Sequence, residues 1–140
     1  MMVRPAHASD GLAAREVALS SVDATGGTYS AEQIERWRQS LSSRDFATTI
    51  EDTASFVALE NDAVIGFANV IPREAGDGEI DLLHVSPYHQ RMGVGRALVT
   101  ALEARAGADA MFHLWADASL LAAPCWRVLA TKLWSATSNL

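Results

Sequence analysis

The stretch Glu79–Ala106 limits what this chain can fold into more than any other. Glu79-Ile80-Asp81-Leu82-Leu83-His84-Val85 reads as a strand, Ser86-Pro87 breaks it, and Tyr88-His89-Gln90-Arg91-Met92-Gly93-Val94-Gly95 is a short loop. Val94, Ala97, Leu98, Ala101 and Leu102 then recur at i, i+3, i+4, i+7 and i+8, the spacing that lays one apolar stripe of a helix on a sheet. A strand that feeds a helix through a two-glycine loop makes an anion site. The first-turn amides lack intrahelical partners, the helix dipole puts partial positive charge there, and Gly93 and Gly95 let a bulky phosphate reach the backbone. Arg91 and Arg96 add charge beside it. The same glycines also suit a plain strand-to-helix turn that uses them for geometry alone.

Spacing separates the known phosphate loops. A Walker loop requires Gly-x-x-x-x-Gly-Lys-Ser/Thr, and neither the lysine nor the hydroxyl follows here. A dinucleotide fingerprint requires a third glycine or alanine where Leu98 stands. What remains is Gln90-x-x-Gly93-x-Gly95 after a strand carrying Leu83-His84-Val85-Ser86-Pro87. It resembles the pyrophosphate loop of the GNAT superfamily of acetyl-CoA-dependent N-acetyltransferases. The likeness extends to Val64-Ile65-Gly66-Phe67-Ala68, to Gly95-Arg96-Ala97-Leu98 and to Ala118-Ser119. Tyr29-Ser30-Ala31-Glu32-Gln33 followed by Trp37 is similar to a small prokaryotic branch of these enzymes.

Composition is compatible with that resemblance. A chain of 140 residues, 49% hydrophobic and 20% charged, is expected to be one globular domain spanning 1–140 with a single sizeable core. No apolar run approaches the ~20 residues needed to cross a bilayer. The N-terminus, with Arg4, His7 and Asp10, has no apolar segment of the secretion-signal kind. One cysteine, Cys125, excludes an internal disulfide and a cysteine metal cluster, so a cytoplasmic setting without a metal is the expectation. A net charge of -6 argues against general nucleic-acid binding. An anionic cofactor must therefore be gripped by a local positive patch, which Arg91–Arg96 supplies.

Taken in order, Val3-Arg4-Pro5 predicts a short strand, and Ser9 or Asp10 caps a helix to about Ala24 with Ala13, Ala14, Val17 and Ala18 inward. Ser30 with Gln33 is a capping-box start for a second helix burying Ile34, Trp37 and Leu41. A short third helix from Ser43 buries Phe46 and Ile50. Ser55–Leu59 and Ala63–Ile71 form a hairpin across Glu60-Asn61-Asp62. Pro72–Gly78 is a loop, Gly107 closes the main helix, Met111–Ala116 is a strand, and Ser119 caps a last helix to about Lys132. This is the α/β (α+β) order of a mixed central sheet flanked by helices: strand, two or three helices, three strands, helix, strand, helix.

The resemblance covers nearly the whole chain and implies the rest. Acetyl-CoA enters where the fourth strand bulges and splays from the fifth. Backbone groups around Leu83, His84 and Val85 meet the pantetheine arm. The amides of Arg91, Met92, Gly93, Val94, Gly95 and Arg96 hold the pyrophosphate, and Ser119 adds to the cofactor site. Tyr29 and Trp37, in the first helices, line the acceptor side. Plain core packing explains Leu83 and Val85 equally well, since the cofactor uses only their backbone.

An alkyl ammonium near pKa 10 must lose a proton before attacking a thioester, which at neutral pH costs about 4 kcal/mol. Family members place a base at the positions matching Glu79 and Asp81. Period-two geometry puts Glu79, Asp81 and Leu83 on one strand face, and Ile80, Leu82 and His84 on the other. Two carboxylates so close raise one another's pKa, which suits a base, and Glu79 is the preferred one of the two. The plain alternative is a pair of solvated strand-end charges.

Two features depart from the family. The last helix usually carries an acidic tyrosine in a phrase like Pro-Phe-Tyr, where this chain has Pro124-Cys125-Trp126, and an indole N–H is too weak an acid to replace it. After that helix the family has two strands, whereas Leu133–Leu140 leaves room for one short strand. The final strand pair is thus expected to be shortened or absent, leaving an apolar edge that favours marginal stability or a homodimer. Two functions stay open: an N-acetyltransferase acting on a small-molecule or peptide amine by direct attack, or an acetyl-CoA-binding module without turnover.

Overall fold

The computed structural model describes residues 1–111, 113–117 and 134–137. Strand β1 (Met2–Pro5) precedes three helices, α1 (Gly11–Asp23), α2 (Ala31–Ser43) and α3 (Phe46–Asp52). Strands β2 (Ala54–Glu60), β3 (Ala63–Pro72) and β4 (Asp77–Val85) follow, then α4 (Val94–Ala108), β5 (His113–Asp117) and β6 (Trp134–Thr137). The six strands form one sheet in sequence order, antiparallel through β4 and parallel from β4 to β6. This is the mixed sheet flanked by helices that the sequence predicts, with β6 as the strand among the described residues of the C-terminal remainder. The expected last helix, with Ser119, Cys125 and Trp126, lies outside the described residues.

Local chemistry accounts for the elements. Asn61 and Asp62 both take left-handed backbone (φ 51 and 66), as the tight turn between two right-twisted strands requires, and these residue types tolerate it. The Ser30 hydroxyl accepts the Gln33 amide at 3.1 Å and starts α2. Asp45 does the same for α3 through the Thr48 amide, so that helix begins later than Ser43. Asp10 precedes α1 without capping it. Its carboxylate accepts from Arg4 at 2.8 Å and from the His7 amide at 2.7 Å, and the Arg4 bond holds it below the usual carboxylate range.

Helices cover both sheet faces. On one, Leu98, Val99, Leu102 and Ala106 of α4 pack on Ala68, Val70, Ile80 and Leu83, with Met111 and Leu114 completing the cluster. On the other, Ala14, Ala18 and Val22 of α1, Leu41 of α2, and Phe46 and Ile50 of α3 pack on Val57, Leu59, Phe67 and Leu82. The Phe46 and Phe67 rings lie 5.8 Å apart in a tilted arrangement. Within α2 only Leu41 is buried, and Ile34 and Trp37 pack as half-buried flanks.

The alternation of β4 breaks at Asp81. Opposite β3, Leu82 pairs with Asn69 but Ile80 pairs with Val70, so one residue of β4 has no partner. A one-residue bulge flips every later side chain to the opposite face. Ile80, Leu83 and Val85 consequently face α4, while Leu82 joins the cluster under α1. This corrects the period-two reading: Leu83 does not share a face with Glu79 and Asp81, and Ile80 does not share one with Leu82 and His84, although Leu82 and His84 do lie opposite Leu83 as read.

Candidate active site

Two features of the backbone meet at the C-terminal half of β4. Parallel pairing with β5 covers only Asp77–Ile80, so Asp81–Val85 have no ladder partner on that side among the described residues. Among the described residues the strand thus leaves its neighbour at the bulge, and an edge of peptide groups without a ladder partner runs from there to the loop before α4. An edge of this kind accepts an extended chain as one more strand.

The loop beyond it turns through left-handed backbone into the N-terminus of α4. Arg91 and Gly93 both have left-handed backbone (φ 64 and 84), the kind of turn in which successive amides point into one concavity. Gly93 is the N-cap of α4, so the amides of Val94, Gly95 and Arg96 are its unpaired first-turn donors. A Cβ built on Gly93 meets nothing within 4 Å among the described residues. Arg91, Met92 and Arg96 are exposed, while Val94 and Gly95 are buried against the core. Neither arginine takes part in an ion pair among the described residues. The loop is held from behind by Ser86, whose amide donates to the Ile65 carbonyl at 2.8 Å.

Each of the two carboxylates meets an arginine. Arg73 holds Glu79, donating through both Nε (2.9 Å) and Nη2 to Oε1, which leaves Oε2 without a bond among the described residues. Arg44, from the end of α2, holds Asp81 at 2.5 Å. Both acidic side chains are mostly covered, at 16% and 21% exposure, so these ion pairs are more than loose surface contacts. Arg44 and Arg73 were not legible as site residues, because they reach β4 from a helix end and from a loop.

His84 points toward α1, with its Nδ1 3.4 Å from the Ser21 hydroxyl. Its ring therefore leaves the free edge of β4, and only its backbone lies along that edge. Burial pushes the imidazole down to about 4; the Arg44 cation pushes the same way and the Asp81 carboxylate opposes. Since the folded pKa lies below the ordinary 6.5, the unfolded chain binds the extra proton between these values. Stability from this group is complete above 6.5 and falls by about 1.4 kcal/mol per pH unit on acidification toward 4. Denaturant midpoints between pH 7 and pH 5 check this: His84→Gln is expected to flatten the decline. A wild-type midpoint unchanged across that range would contradict the assignment.

Tyr29, in the loop between α1 and α2, meets Trp37 edge to face with ring centroids 4.7 Å apart. Both rings are half-buried, and Trp37 packs on the cluster under α1. Tyr88, beside the anion loop, is 88% exposed. Asn69, which the sequence reading passed over, is wholly buried on β3 next to the bulge. Its signal was visible, since a lone carboxamide inside Val64–Ile71 must find partners or destabilise the core.

Solved structures share this architecture. A PaiA N-acetyltransferase from Thermoplasma acidophilum, in complex with coenzyme A, superposes with a TM-score of 0.72 at 23% identity, over 81% of this chain and 76% of that one. A GCN5-related N-acetyltransferase from Rhodopseudomonas palustris gives 0.74 at 28% identity, over 86% and 78%. A GNAT acetyltransferase from Brucella melitensis, in complex with acetyl-CoA, gives 0.65 at 20% identity, over 81% and 72%. No curated protein matches the chain. Residues 22–128 match the model of the acetyltransferase (GNAT) family, a span that takes in the bulged strand and the glycine loop before α4, and the chain belongs to that family.

Proposed function

We propose that this protein transfers the acetyl group of acetyl-CoA to a primary amine, by direct attack of the amine on the thioester. The observation that carries the reading is the joining of a free β4 edge to an anion loop. A molecule with an amide-containing arm on a diphosphate fits both. The loop amides and the space over Gly93, open among the described residues, suit the diphosphate, and Arg91 and Arg96 supply local positive charge on a chain of net charge -6. The peptide groups of Leu83, His84 and Val85 suit the arm, with Leu83 and Val85 side chains anchored toward α4. Acetyl-CoA brings an activated acyl carbon with a thiolate leaving group. CoA and acetyl-CoA are the ligands of two of the structural neighbours.

The chain's own residues prepare the amine. Glu79 keeps one carboxylate oxygen available while Arg73 fixes the other, and it removes the proton that an ammonium must lose, directly or through water. Asp81 is tied to Arg44 and Asn69 and shapes the strand. The half-buried Tyr29 and Trp37 form the acceptor lip. Among the described residues no group of three or more metal-ligating side chains exists, and no helix is long and apolar enough to cross a membrane.

Purified protein supplied with acetyl-CoA and a panel of primary amines, including peptide N-termini, is expected to release CoA in an amine-dependent way. Thiol titration and mass spectrometry of the acceptor read the result. Uptake of acetyl-CoA without acetylation of any amine would replace this reading by a binding module without turnover.

A further inference from the structure

Asn69 sits at 0% exposure in the middle of β3, between the α4-facing Ala68 and Val70. A carboxamide so placed must satisfy both its donor and its acceptor. Its Oδ1 accepts the Leu82 amide at 2.8 Å, and its Nδ2 donates to Thr53 Oγ1 at 3.2 Å and to Asp81 Oδ2 at 3.4 Å. Two of the three bonds therefore end on consecutive residues of β4, at the break in register. A bulge disrupts the regular ladder where its extra residue sits. Here a side-chain oxygen from the facing strand takes the Leu82 amide. Thr53, at the end of α3, fixes the carboxamide from behind through a hydroxyl that itself donates to the Thr49 carbonyl at 2.7 Å. Arg44 holds the same Asp81 oxygen from the solvent side.

We propose that Asn69 is a positioning residue whose carboxamide holds the β4 bulge at Asp81, and so directs Leu82–Val85 away from β5 and leaves open the edge that receives the pantetheine arm. This rests on the acetyl-CoA reading given above. Two routes are open to an apolar side chain at position 69. Either the Leu82 amide stays buried without a partner, or β4 straightens and period two is restored, which exchanges the faces of Leu82 and His84 with those of Leu83 and Val85. The second route drives the His84 ring into the α4 core. Both disturb the arm's edge, and neither removes a backbone donor or a charge of the loop at Gly93.

Binding to the full chain separates this role from general weakening. Calorimetry compares CoA, which carries the arm, with 3′-phosphoadenosine 5′-diphosphate, which has the diphosphate alone. Asn69→Leu is expected to weaken CoA roughly tenfold while leaving the nucleotide's affinity unchanged. Hydrogen exchange at the Leu82 amide is expected to be slow in the wild type and fast in the variant. Equal losses for both ligands, or no loss for either, overturn the proposal. Should Asn69→Leu fail to fold, Thr53→Val removes only the rear support and is expected to give a smaller loss, still confined to CoA; a loss shared with the nucleotide overturns it. A wild-type chain that binds the nucleotide but gains nothing from the arm also overturns it, whereas one that takes up neither ligand defeats the acetyl-CoA reading itself.

Discussion

Glu79→Gln is expected to lower kcat/KM for an alkyl amine by roughly a hundredfold to a thousandfold at neutral pH, the usual contribution of a positioned base. The change removes the proton-accepting oxygen but keeps the shape, and a glutamine carbonyl can still accept from Arg73. The loss has a signature that a packing defect does not share. Raising the pH supplies the amine already deprotonated, so the variant should recover while the wild type, already assisted, gains less. An acceptor of lower pKa should narrow the gap in the same way. Asp81→Asn is the comparison: it weakens the Arg44 ion pair, and its effect should fall more on stability than on turnover. Initial rates across pH for the three proteins decide it. Equal activity of Glu79→Gln and wild type, or an equal loss in Asp81→Asn, would remove Glu79 from the role of base.

The second large effect belongs to Gly93. Its φ of +84 lies in the left-handed region, where a β-branched residue is a genuine outlier costing on the order of 1–3 kcal/mol. Among the described residues no atom lies within 4 Å of an added Cβ, so a larger side chain enters the space proposed for the diphosphate. Gly93→Val is therefore expected to reduce CoA affinity roughly a hundredfold or more, by obstruction added to strain. Gly93→Asn separates the two contributions, because asparagine tolerates left-handed backbone while still projecting into the cradle. It should keep a thermal midpoint near that of the wild type and still lose most of the binding. Calorimetric titration with CoA and a melting curve for each variant give the answer. Undiminished uptake by Gly93→Val would mean that the loop serves only the turn into α4.

These two predictions draw on different kinds of information. Gly93 was legible because the need for glycine is local: an apolar helical stripe after a broken strand leaves one place for the turn, and the turn itself dictates the residue. The stripe Val94, Leu98 and Leu102 is buried as read, and the hairpin at Asn61-Asp62 likewise follows from its own residues. Glu79 was legible only as a candidate. Whether its carboxylate meets Asp81, solvent or a cation depends on Arg73, which comes to it across a loop, and on Arg44, which comes to Asp81 from 37 residues away.

By itself, the sequence determined the order of the described elements, the strand–loop–helix unit and the glycine turn within it, since each arises from neighbours in the chain through periodicity, capping and allowed backbone angles. Tertiary structure alone decided which side chains share the reacting face. One unpaired residue at Asp81 reverses the parity of everything after it, moving Leu83 to the α4 side and leaving Leu82 and His84 on the other. Strict alternation cannot announce such a reversal, because it is fixed by what β3 offers across the ladder, above all the buried carboxamide of Asn69, and by where β5 stops pairing.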